Sequence, residues 1–569
     1  MSDKLPRWSL EGIYPSPDSI EFERDIESVY ELSNEIEEKS KDSKTPLLDL
    51  LELDDKATAI CTNLYAYSSA LLSTDSSNES YMKAVSKTED ASSSLSSAKS
   101  VMVYYVAKRS DEFSCAGLEM YKLKLDEIKV QAEHQMGIDE EKLASEFLKV
   151  SSSAWDRLQS AITSTIANGD KTLIELRGLA TNKSREIRED AFYREISILK
   201  EHEVALAYAL NGVKGTTLLL EKRRGWKDPI DRSLFSSRIT RKALDALIGA
   251  LEDSRAMFAG YLRTKAKLLG LDKMDFFDLF APVGKSPKSY TFEEAKALVY
   301  DSYNSFSKEA GLFIKNAFDN NWIDAEPRKG KVGGAYDTAF PLKKESRILC
   351  NFDSSYDSVS TLAHELGHAF HDSRVKDMPI SQSEYPMTLA ETASIFGENL
   401  LFQHVLSLST KDEQLPIIES YVQSACQVCI DILSRFYFER ELFKERKNGE
   451  LSANRLCGIM LEAEEKAYGD AIGVKHPYMW AVKGHYYSES FSFYNYPYAF
   501  GQLFALGLFA LKDTVSDFPE HYNQILRLTG KMSANDVASS IGIDIEDKAF
   551  WNKGLGVIGL YIERLKEWI

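Results

Sequence analysis

The segment His364-Glu365-Leu366-Gly367-His368 constrains this chain most, because it brings metal-binding side chains together only if it folds as a helix. Residues i and i+4 of a helix lie one above the other, so His364 and His368 can hold one ion from the same side. Glu365 then lies beside the pair, where it can take a proton from a metal-bound water. The residues on either side are uncharged, as in a buried helix. The pattern predicts a helix with a catalytic zinc site.

The third ligand does not come from the same helix. A catalytic zinc usually has three protein ligands and keeps a fourth position for water. His371 lies only three residues after His368, and one helix cannot close a third bond on the same ion. The metzincin spacing requires a glycine at 371 and a histidine at 374, where this chain has His371 and Arg374, so that class is excluded. We expect His371 to pack near the site or to support a ligand.

A second predicted helix carries the candidate third ligand. Residues 388–401 follow Pro386 and include Glu391 and Glu398 at positions i and i+7, among apolar residues. Two carboxylates on a largely apolar helix are costly to bury without a counter-charge, which a dication would supply. We predict that Glu391 is the third ligand and that Glu398 accepts the ring N–H of a ligand histidine. Glu384, in a proline-containing loop, is the weaker ligand candidate.

An aromatic segment follows farther along the chain. Residues 484–501 contain five tyrosines and His485 before the segment becomes an apolar helix. Hydrolysis through a tetrahedral intermediate needs hydrogen-bond donors for the developing oxyanion, and tyrosine O–H and histidine N–H groups can supply them. Aromatic runs more often belong to a core, so both interpretations are open on composition alone.

Helical periodicity dominates the rest of the chain. Residues 20–225 are nearly all compatible with helix and contain few prolines or glycines. The composition changes at residues 223–229, which form a loop between helical blocks. We expect an N-terminal helical domain over residues 1–195 and a catalytic domain over residues 196–569.

A small sheet is expected beside the motif helix. Residues 329–336 form a loop rich in glycine and lysine, and short strand-like runs follow, among them 347–352. We expect the lysines of this loop to be solvated. Asp357 or Ser358 could cap the motif helix that comes next.

The composition limits the partners of the protein. A formal net charge of −18, with 44% hydrophobic and 27% charged residues, is typical of a soluble globular protein. It argues against nucleic acid or an anionic membrane as the main partner. The longest apolar stretch, residues 499–511, is too short to span a bilayer.

The cysteines and the first residues indicate the compartment. Six scattered cysteines are too few for a disulfide framework, and we expect Cys426 and Cys429 to be buried small hydrophobes. The first residues, MSDKLPRWSLEG, include no apolar run of a secretory signal. We therefore expect a cytoplasmic protein.

Taken together, these segments resemble oligoendopeptidase F, in the thimet-oligopeptidase-like family of zinc metallopeptidases. The resemblance covers nearly the whole chain, at residues 8–16, 333–336, 364–368, 391–394 and 485–498. It implies a mainly α-helical fold with two helical halves around a deep active-site channel. It also implies one zinc ion and cleavage of short unstructured peptides.

The resemblance also suggests roles in the aromatic segment. In relatives, a histidine and one or more tyrosines after the zinc helices bind the substrate carbonyl, and His485 matches that histidine. Counting from His485 without gaps favours Tyr494, whereas alignment on the following helix favours Tyr498. Both tyrosines are therefore candidates.

The predicted function is endopeptidase action on short oligopeptides, with zinc-bound water as the nucleophile. A carboxypeptidase or dipeptidyl carboxypeptidase could use the same zinc chemistry. It would need a cation for the terminal carboxylate of the substrate, and no arginine in the sequence is identifiable for that role. A helical scaffold without catalysis is the third alternative, and the intact Glu365 argues against it.

Overall fold

The computed structural model describes residues 5–284, 288–512 and 514–569, and α-helices dominate it. The first twelve helices are α1 (Ile20–Lys41), α2 (Leu47–Thr74), α3 (Glu79–Ala107), α4 (Lys122–Glu133), α5 (Ile138–Val150), α6 (Ser152–Thr165), α7 (Leu173–Gly178), α8 (Arg185–Glu201), α9 (Glu203–Arg223), α10 (Pro229–Ser236), α11 (Arg241–Leu268) and α12 (Phe292–Phe306). The remaining helices are α13 (Lys308–Asp319), α14 (Tyr356–Val375), α15 (Ile380–Ser383), α16 (Met387–Leu408), α17 (Lys411–Cys426), α18 (Ile432–Arg446), α19 (Ala453–Tyr468), α20 (Met479–Val482), α21 (Tyr496–Leu511), α22 (Phe518–Leu528), α23 (Ala534–Ser539) and α24 (Lys548–Leu565). The predicted mainly α fold class is confirmed.

The strands are few and short. They are β1 (Ala167–Asn168), β2 (Lys171–Thr172), β3 (Ile323–Asp324), β4 (Tyr336–Phe340) and β5 (Glu345–Leu349). The first two form an antiparallel pair, and the other three form a sheet in the order β3-β5-β4. In that sheet β3 is parallel to β5 and β4 is antiparallel to it.

The chain divides into two compact units, each built from three segments. Unit 1 comprises the described residues of Met1–Asp139, Lys288–Leu408 and Leu511–Ile541. Unit 2 comprises those of Glu140–Pro287, Ser409–Ala510 and Gly542–Ile569. The domain boundary after residue 195, which we expected from the sequence, stays a prediction.

The core of unit 1 follows the helical periodicity of the sequence. Phe22, Val29 and Ile36 recur every seven residues along α1 and are fully buried. They belong to a hydrophobic cluster that extends to Phe340 and Leu349 of the sheet. The sheet in turn contacts α14, the helix of the histidine motif. The predicted small sheet beside this helix is therefore present.

The loop before β4 differs from the sequence expectation in one lysine. The side chain of Lys331 is buried, forms an ion pair with Asp324 (Nζ to Oδ1, 2.8 Å) and donates to the carbonyl oxygens of Asp324, Glu326 and Cys350. Our expectation of a solvated lysine was wrong here, because carbonyl groups of neighbouring segments converge on the ammonium group. Lys329 is exposed, as expected.

Unit 2 has its own core and its own buried charges. Leu206, Phe438 and Trp480 belong to a hydrophobic cluster built from α9, α18, α19 and α20. A buried ion pair between Lys214 and Glu439 (2.9 Å) joins α9 to α18. The two charges compensate each other where neither could be buried alone.

Two further expectations concern the cysteines and the apolar stretches. All six cysteines lie in the described part of the chain and are free, and both Cys426 and Cys429 are buried. Among residues 5–284, 288–512 and 514–569, no helix combines the length and apolar character that crossing a bilayer requires.

Candidate metal centre

Helix α14 presents the histidine motif, and its cap lies two or three residues earlier than expected. Its N-cap is Ser355, whose Oγ accepts a hydrogen bond from the Ser358 N–H (3.1 Å). The expectation that Asp357 or Ser358 caps the helix was wrong. Tyr356 is buried as the first helical residue, so the capping position moves to the serine before it.

Helix α16 crosses α14 at very short range because of two glycines. A Cβ atom on Gly367 of α14 would lie 2.6 Å from the Cα of Ser394 on α16. A Cβ atom on Gly397 of α16 would overlap the hydroxyl of Tyr303, which donates to the carbonyl of Ala363 on α14 (2.8 Å). The missing side chains let the two backbones touch, so the motif histidines come close to the carboxylates of α16.

Three of the predicted ligands meet at this crossing. The Nε2 atoms of His364 and His368 lie 3.1 Å apart. Oε2 of Glu391 lies 3.4 Å from Nε2 of His364 and 3.6 Å from Nε2 of His368. The three side chains come from two helices and point their ligand atoms at one another.

This donor set fits a zinc ion. Bonds of about 2.0–2.1 Å to nitrogen and oxygen in a tetrahedral site place neighbouring ligand atoms about 3.3 Å apart. The three distances between the ligand atoms, 3.1, 3.4 and 3.6 Å, bracket that value. Two imidazoles and one carboxylate also match the ligand types of catalytic zinc sites, which leave a fourth position for water.

Two side chains of α16 orient the candidate ligands. Glu398 accepts a hydrogen bond from Nδ1 of His364, which leaves Nε2 of that ring as the atom that faces His368 and Glu391. Ser394 donates from Oγ to Oε2 of Glu391 (2.7 Å). Glu398 thus lies against the His364 ring, and its role as the support of a metal ligand stays a prediction.

Glu365 lies next to the ligand atoms and is buried. Its side chain is 6% exposed, and its carboxylate lies within 4.8 Å of the ligand nitrogens of His364 and His368. Burial raises the pKa of Glu365 to about 7, against the opposing charge of His364. A carboxylate with a pKa near neutrality is suited to accept and release a proton.

The charges around the histidines favour a cation. Burial lowers the pKa of His364, but the carboxylates of Glu398, Glu391 and Glu365 outweigh it and raise the pKa to about 10. Burial and the neighbouring His364 lower the pKa of His368 to about 4. The surroundings therefore stabilise one positive charge on the two rings and disfavour a second one.

His371 does not join this group. It is fully buried, and its Nε2 lies 2.8 Å from Oγ1 of Thr529. Its ring stacks on that of Tyr385 with centroids 3.9 Å apart. This packing role agrees with the sequence expectation.

The predicted oxyanion residues form a ring cluster in unit 2. The His485 ring centroid lies 5.1 Å from that of Tyr494 and 6.2 Å from that of Tyr498, and the two tyrosine rings are 5.8 Å apart. Burial, followed by the charges of Arg435 and Lys483, lowers the pKa of His485, so its imidazole is neutral at neutral pH. Both candidate tyrosines adjoin the histidine, and the choice between them stays open.

Several residues of the site escaped the sequence interpretation. Ser394 lies three residues after Glu391, and this i, i+3 spacing could have indicated the contact. Thr529, which lies against His371, is 158 positions away in the sequence, and no local pattern relates the two.

Comparison with known proteins identifies relatives of the chain. The model of a family described as Peptidase family M3 matches residues 178–557. Oligopeptidase PepF of Bacillus subtilis is 24% identical over 565 residues, which cover 95% of this chain and 83% of that protein. Group B oligopeptidase PepB of Streptococcus agalactiae is 23% identical over 551 residues, which cover 92% of this chain and 90% of that protein.

Solved structures share the fold. A Chlamydophila abortus protein assigned as a peptidase superposes with a TM-score of 0.85 at 20% identity, over 99% of this chain and 98% of that one. Oligoendopeptidase F from Enterococcus faecium superposes with a TM-score of 0.70 at 17% identity, over 96% of this chain and 98% of that one. At these identities the likeness concerns the fold.

Proposed function

This chain belongs to peptidase family M3, and we propose that it is a zinc-dependent endopeptidase that hydrolyses internal peptide bonds of short unstructured oligopeptides. One observation carries the proposal: ligand atoms of His364, His368 and Glu391 lie 3.1–3.6 Å apart, with the Glu365 carboxylate beside them. The predicted resemblance to oligoendopeptidase F agrees with the family and with the names of its relatives.

The proposed cofactor is one zinc ion, held by His364, His368 and Glu391. When bound, zinc lowers the pKa of a water molecule toward about 7 and polarises the scissile carbonyl. Glu398 keeps the His364 ring in the tautomer whose Nε2 is available to the ion. Ser394 holds the Glu391 carboxylate in place through its hydrogen bond.

Glu365 is the proposed general base. Its carboxylate takes the proton of the attacking water and then delivers it to the leaving amine. General base catalysis of this kind contributes roughly a hundred- to ten-thousandfold to a reaction rate.

His485, with Tyr494 or Tyr498, is proposed to donate hydrogen bonds to the oxyanion. Support comes from the family resemblance and from the neutral imidazole that this environment maintains. A neutral histidine N–H and a tyrosine O–H are suitable donors for a developing negative charge.

We also propose that the protein works in the cytoplasm on peptide substrates, without nucleic acid or membrane partners. The free cysteines and the formal net charge of −18 support this assignment.

Digestion of a mixed peptide library tests the function. We expect cuts at internal bonds that disappear when a chelator removes the metal and return when zinc is added. Peptides with an amidated C-terminus should be cut equally well, whereas a dipeptidyl carboxypeptidase would release only C-terminal fragments from free carboxyl ends. Mass spectrometry of the products distinguishes the two.

The variant Glu365→Gln tests the mechanism on the same library. It should retain zinc, measured by metal analysis, and lose roughly a hundred- to ten-thousandfold in turnover. Full turnover in this variant would refute Glu365 as the base. A purified wild-type protein that neither binds zinc nor cuts peptides would instead favour a helical scaffold.

A further inference from the structure

Phe493 adopts a backbone conformation that bulky residues rarely occupy. Its φ angle is 56°, in the left-handed region, where the Cβ atom of an L-residue crowds the following carbonyl oxygen. Glycine adopts this conformation freely, whereas a phenylalanine there is strained. Such strain persists only where the surrounding contacts impose it, and it is concentrated at functional sites.

Two rings of α18 impose this conformation on Phe493. The side chain is 1% exposed, and its ring centroid lies 5.8 Å from that of Phe436 and 5.6 Å from that of Phe443. Pairs of buried aromatic rings at these separations attract each other in addition to the apolar area they bury. Packing of the Phe493 ring on α18 therefore outweighs the unfavourable backbone angle.

The residues that follow Tyr494 are anchored as well. Asn495 is 1% exposed and donates from Nδ2 to Oε2 of Glu439 on α18 (3.4 Å). The buried Tyr496 donates from its hydroxyl to Oγ of Ser237 (2.9 Å). The chain is thus fixed both before and after Tyr494, so the direction of that residue is fixed too.

Tyr494 is the half-buried residue between these anchors, and it lies against the predicted oxyanion residue. Its ring centroid is 5.1 Å from that of His485 and 4.4 Å from that of Phe491. His485 precedes Phe493 in the chain and Tyr494 follows it. Rotation about the N–Cα bond of Phe493 would therefore move the Tyr494 ring away from the His485 ring.

We propose that Phe493 is a positioning residue for His485 and Tyr494. Its ring, held by Phe436 and Phe443, keeps the left-handed backbone that places the tyrosine against the histidine. This inference rests on the proposed function, in which His485 donates a hydrogen bond to the oxyanion. A donor that is already oriented stabilises the transition state without reorganisation during the reaction. Because this contact is stronger in the transition state than with bound substrate, relaxing the turn lowers kcat and leaves KM nearly unchanged.

The variant Phe493→Leu tests the positioning role. Leucine keeps the Cβ atom that crowds the backbone and loses the ring contacts that compensate for it. We expect kcat to fall about 10- to 100-fold at similar KM and zinc content, measured on a quenched fluorescent peptide. The control Phe258→Leu, at a phenylalanine of α11 that is also 1% exposed, should keep the wild-type kcat.

Combination with His485→Gln separates positioning from a general loss of packing. If Phe493 acts through His485, the double variant should lose less kcat than the product of the two single losses, by at least about threefold. Two outcomes would overturn the proposal: losses that multiply in full, or a Phe493→Leu protein with wild-type kcat.

Fluorine NMR tests the arrangement directly, with fluorotyrosine incorporated at position 494. We expect one narrow resonance in the otherwise unchanged protein and in the Phe258→Leu control. Phe443→Leu removes one anchoring ring and leaves the turn sequence intact, so it carries the test even if Phe493→Leu does not fold. It should broaden or split the resonance.

Several resonances in the protein without substitutions at 443 or 493 would overturn the proposal, and so would an unchanged narrow resonance in Phe443→Leu. This measurement requires no catalysis. A protein that shows the expected spectra and hydrolyses no peptide refutes the proposed function instead, so the two failures are distinguishable.

Discussion

A Cβ atom added to Gly367 would lie 2.6 Å from the Cα of Ser394, a separation that real Cβ atoms do not show. The Cα of Ser394 is a backbone atom rather than the end of a flexible side chain, so it cannot move aside at low cost. The distance between α14 and α16 therefore depends on the absence of a side chain at 367. That distance also sets the separation between the motif histidines and Glu391.

We predict that Gly367→Ala separates these helices and weakens zinc binding. Overpacking of this kind typically costs about 1–3 kcal/mol of stability. The matched control is Gly260→Ala in α11, where an added Cβ meets no atom within 4 Å and the change should stabilise the helix by about 0.5–1 kcal/mol. Thermal unfolding and metal analysis measure both effects. Equal zinc content and stability in the two variants would contradict the prediction.

The sequence was sufficient for those parts of the site that depend on a single helix. The four-residue spacing of His364 and His368 predicted their shared face, and Pro386 predicted the start of α16 at Met387. Both follow from local periodicity and local backbone chemistry. The capping residue was misplaced because the burial of Tyr356, a tertiary effect, decides where α14 begins.

The remaining features depend on contacts between distant segments. A lysine in a glycine-rich loop is usually solvated, yet three carbonyl groups surround Lys331 in the folded chain. Oγ1 of Thr529 lies 2.8 Å from Nε2 of His371, 158 positions earlier in the chain, and no local pattern relates the two residues. A pattern in one sequence contains no information about such distances.

Replacing the two candidate carboxylate ligands distinguishes them. Glu391→Gln removes a charged ligand whose Oε2 lies 3.4 and 3.6 Å from the two ring nitrogens, so we expect loss of bound zinc and of activity. Glu384→Gln is the matched control, because Glu384 is exposed at the end of α15 and was the weaker candidate. The Glu384 variant should retain both its bound zinc and its activity. Metal analysis after dialysis gives the answer, and zinc loss only in the Glu384 variant would reverse the assignment.

Glu398→Gln tests the support of a ligand ring. The Glu398 carboxylate holds Nδ1–H of His364, and loss of such a partner typically lowers metal affinity about 10- to 100-fold. We expect a weaker zinc affinity in competition with a chromophoric chelator, together with full activity at saturating zinc. An unchanged affinity would mean that the ring keeps its orientation without the carboxylate.

Substitutions in the aromatic cluster identify the oxyanion donors. His485→Gln should lower kcat about a hundred- to a thousandfold with little change in zinc content. Tyr494→Phe and Tyr498→Phe are each other's control, because both rings adjoin His485 and only the hydroxyl is removed. We expect a comparable loss of kcat in one of the two. Wild-type kcat in both phenylalanine variants would exclude tyrosine from this role.

A buried carboxylate in unit 2 makes the stability of the protein depend on pH. Glu221 on α9 is 3% exposed, and neither of its carboxylate oxygens has a hydrogen-bond partner among the described residues. The nearby Arg232 donates instead to the carbonyl oxygens of Glu489 (3.0 Å) and Ser490 (2.7 Å). Burial raises the pKa of Glu221 from its ordinary value of 4.5 to about 7.

The sign of the effect follows from proton binding. Between pH 4.5 and about 7 the folded protein holds a proton on Glu221 that the unfolded chain has released, so the free energy of unfolding decreases as pH rises. The largest loss of unfolding free energy is about 3 kcal/mol above pH 7.

Glu221→Gln keeps the shape without the charge and should unfold at a higher temperature than wild type at pH 8, with the difference vanishing near pH 4.5. The control Glu450→Gln, at an exposed position, should follow wild type at both pH values. A Glu221 variant that gains nothing at pH 8 would mean that Arg232 or water compensates the buried charge.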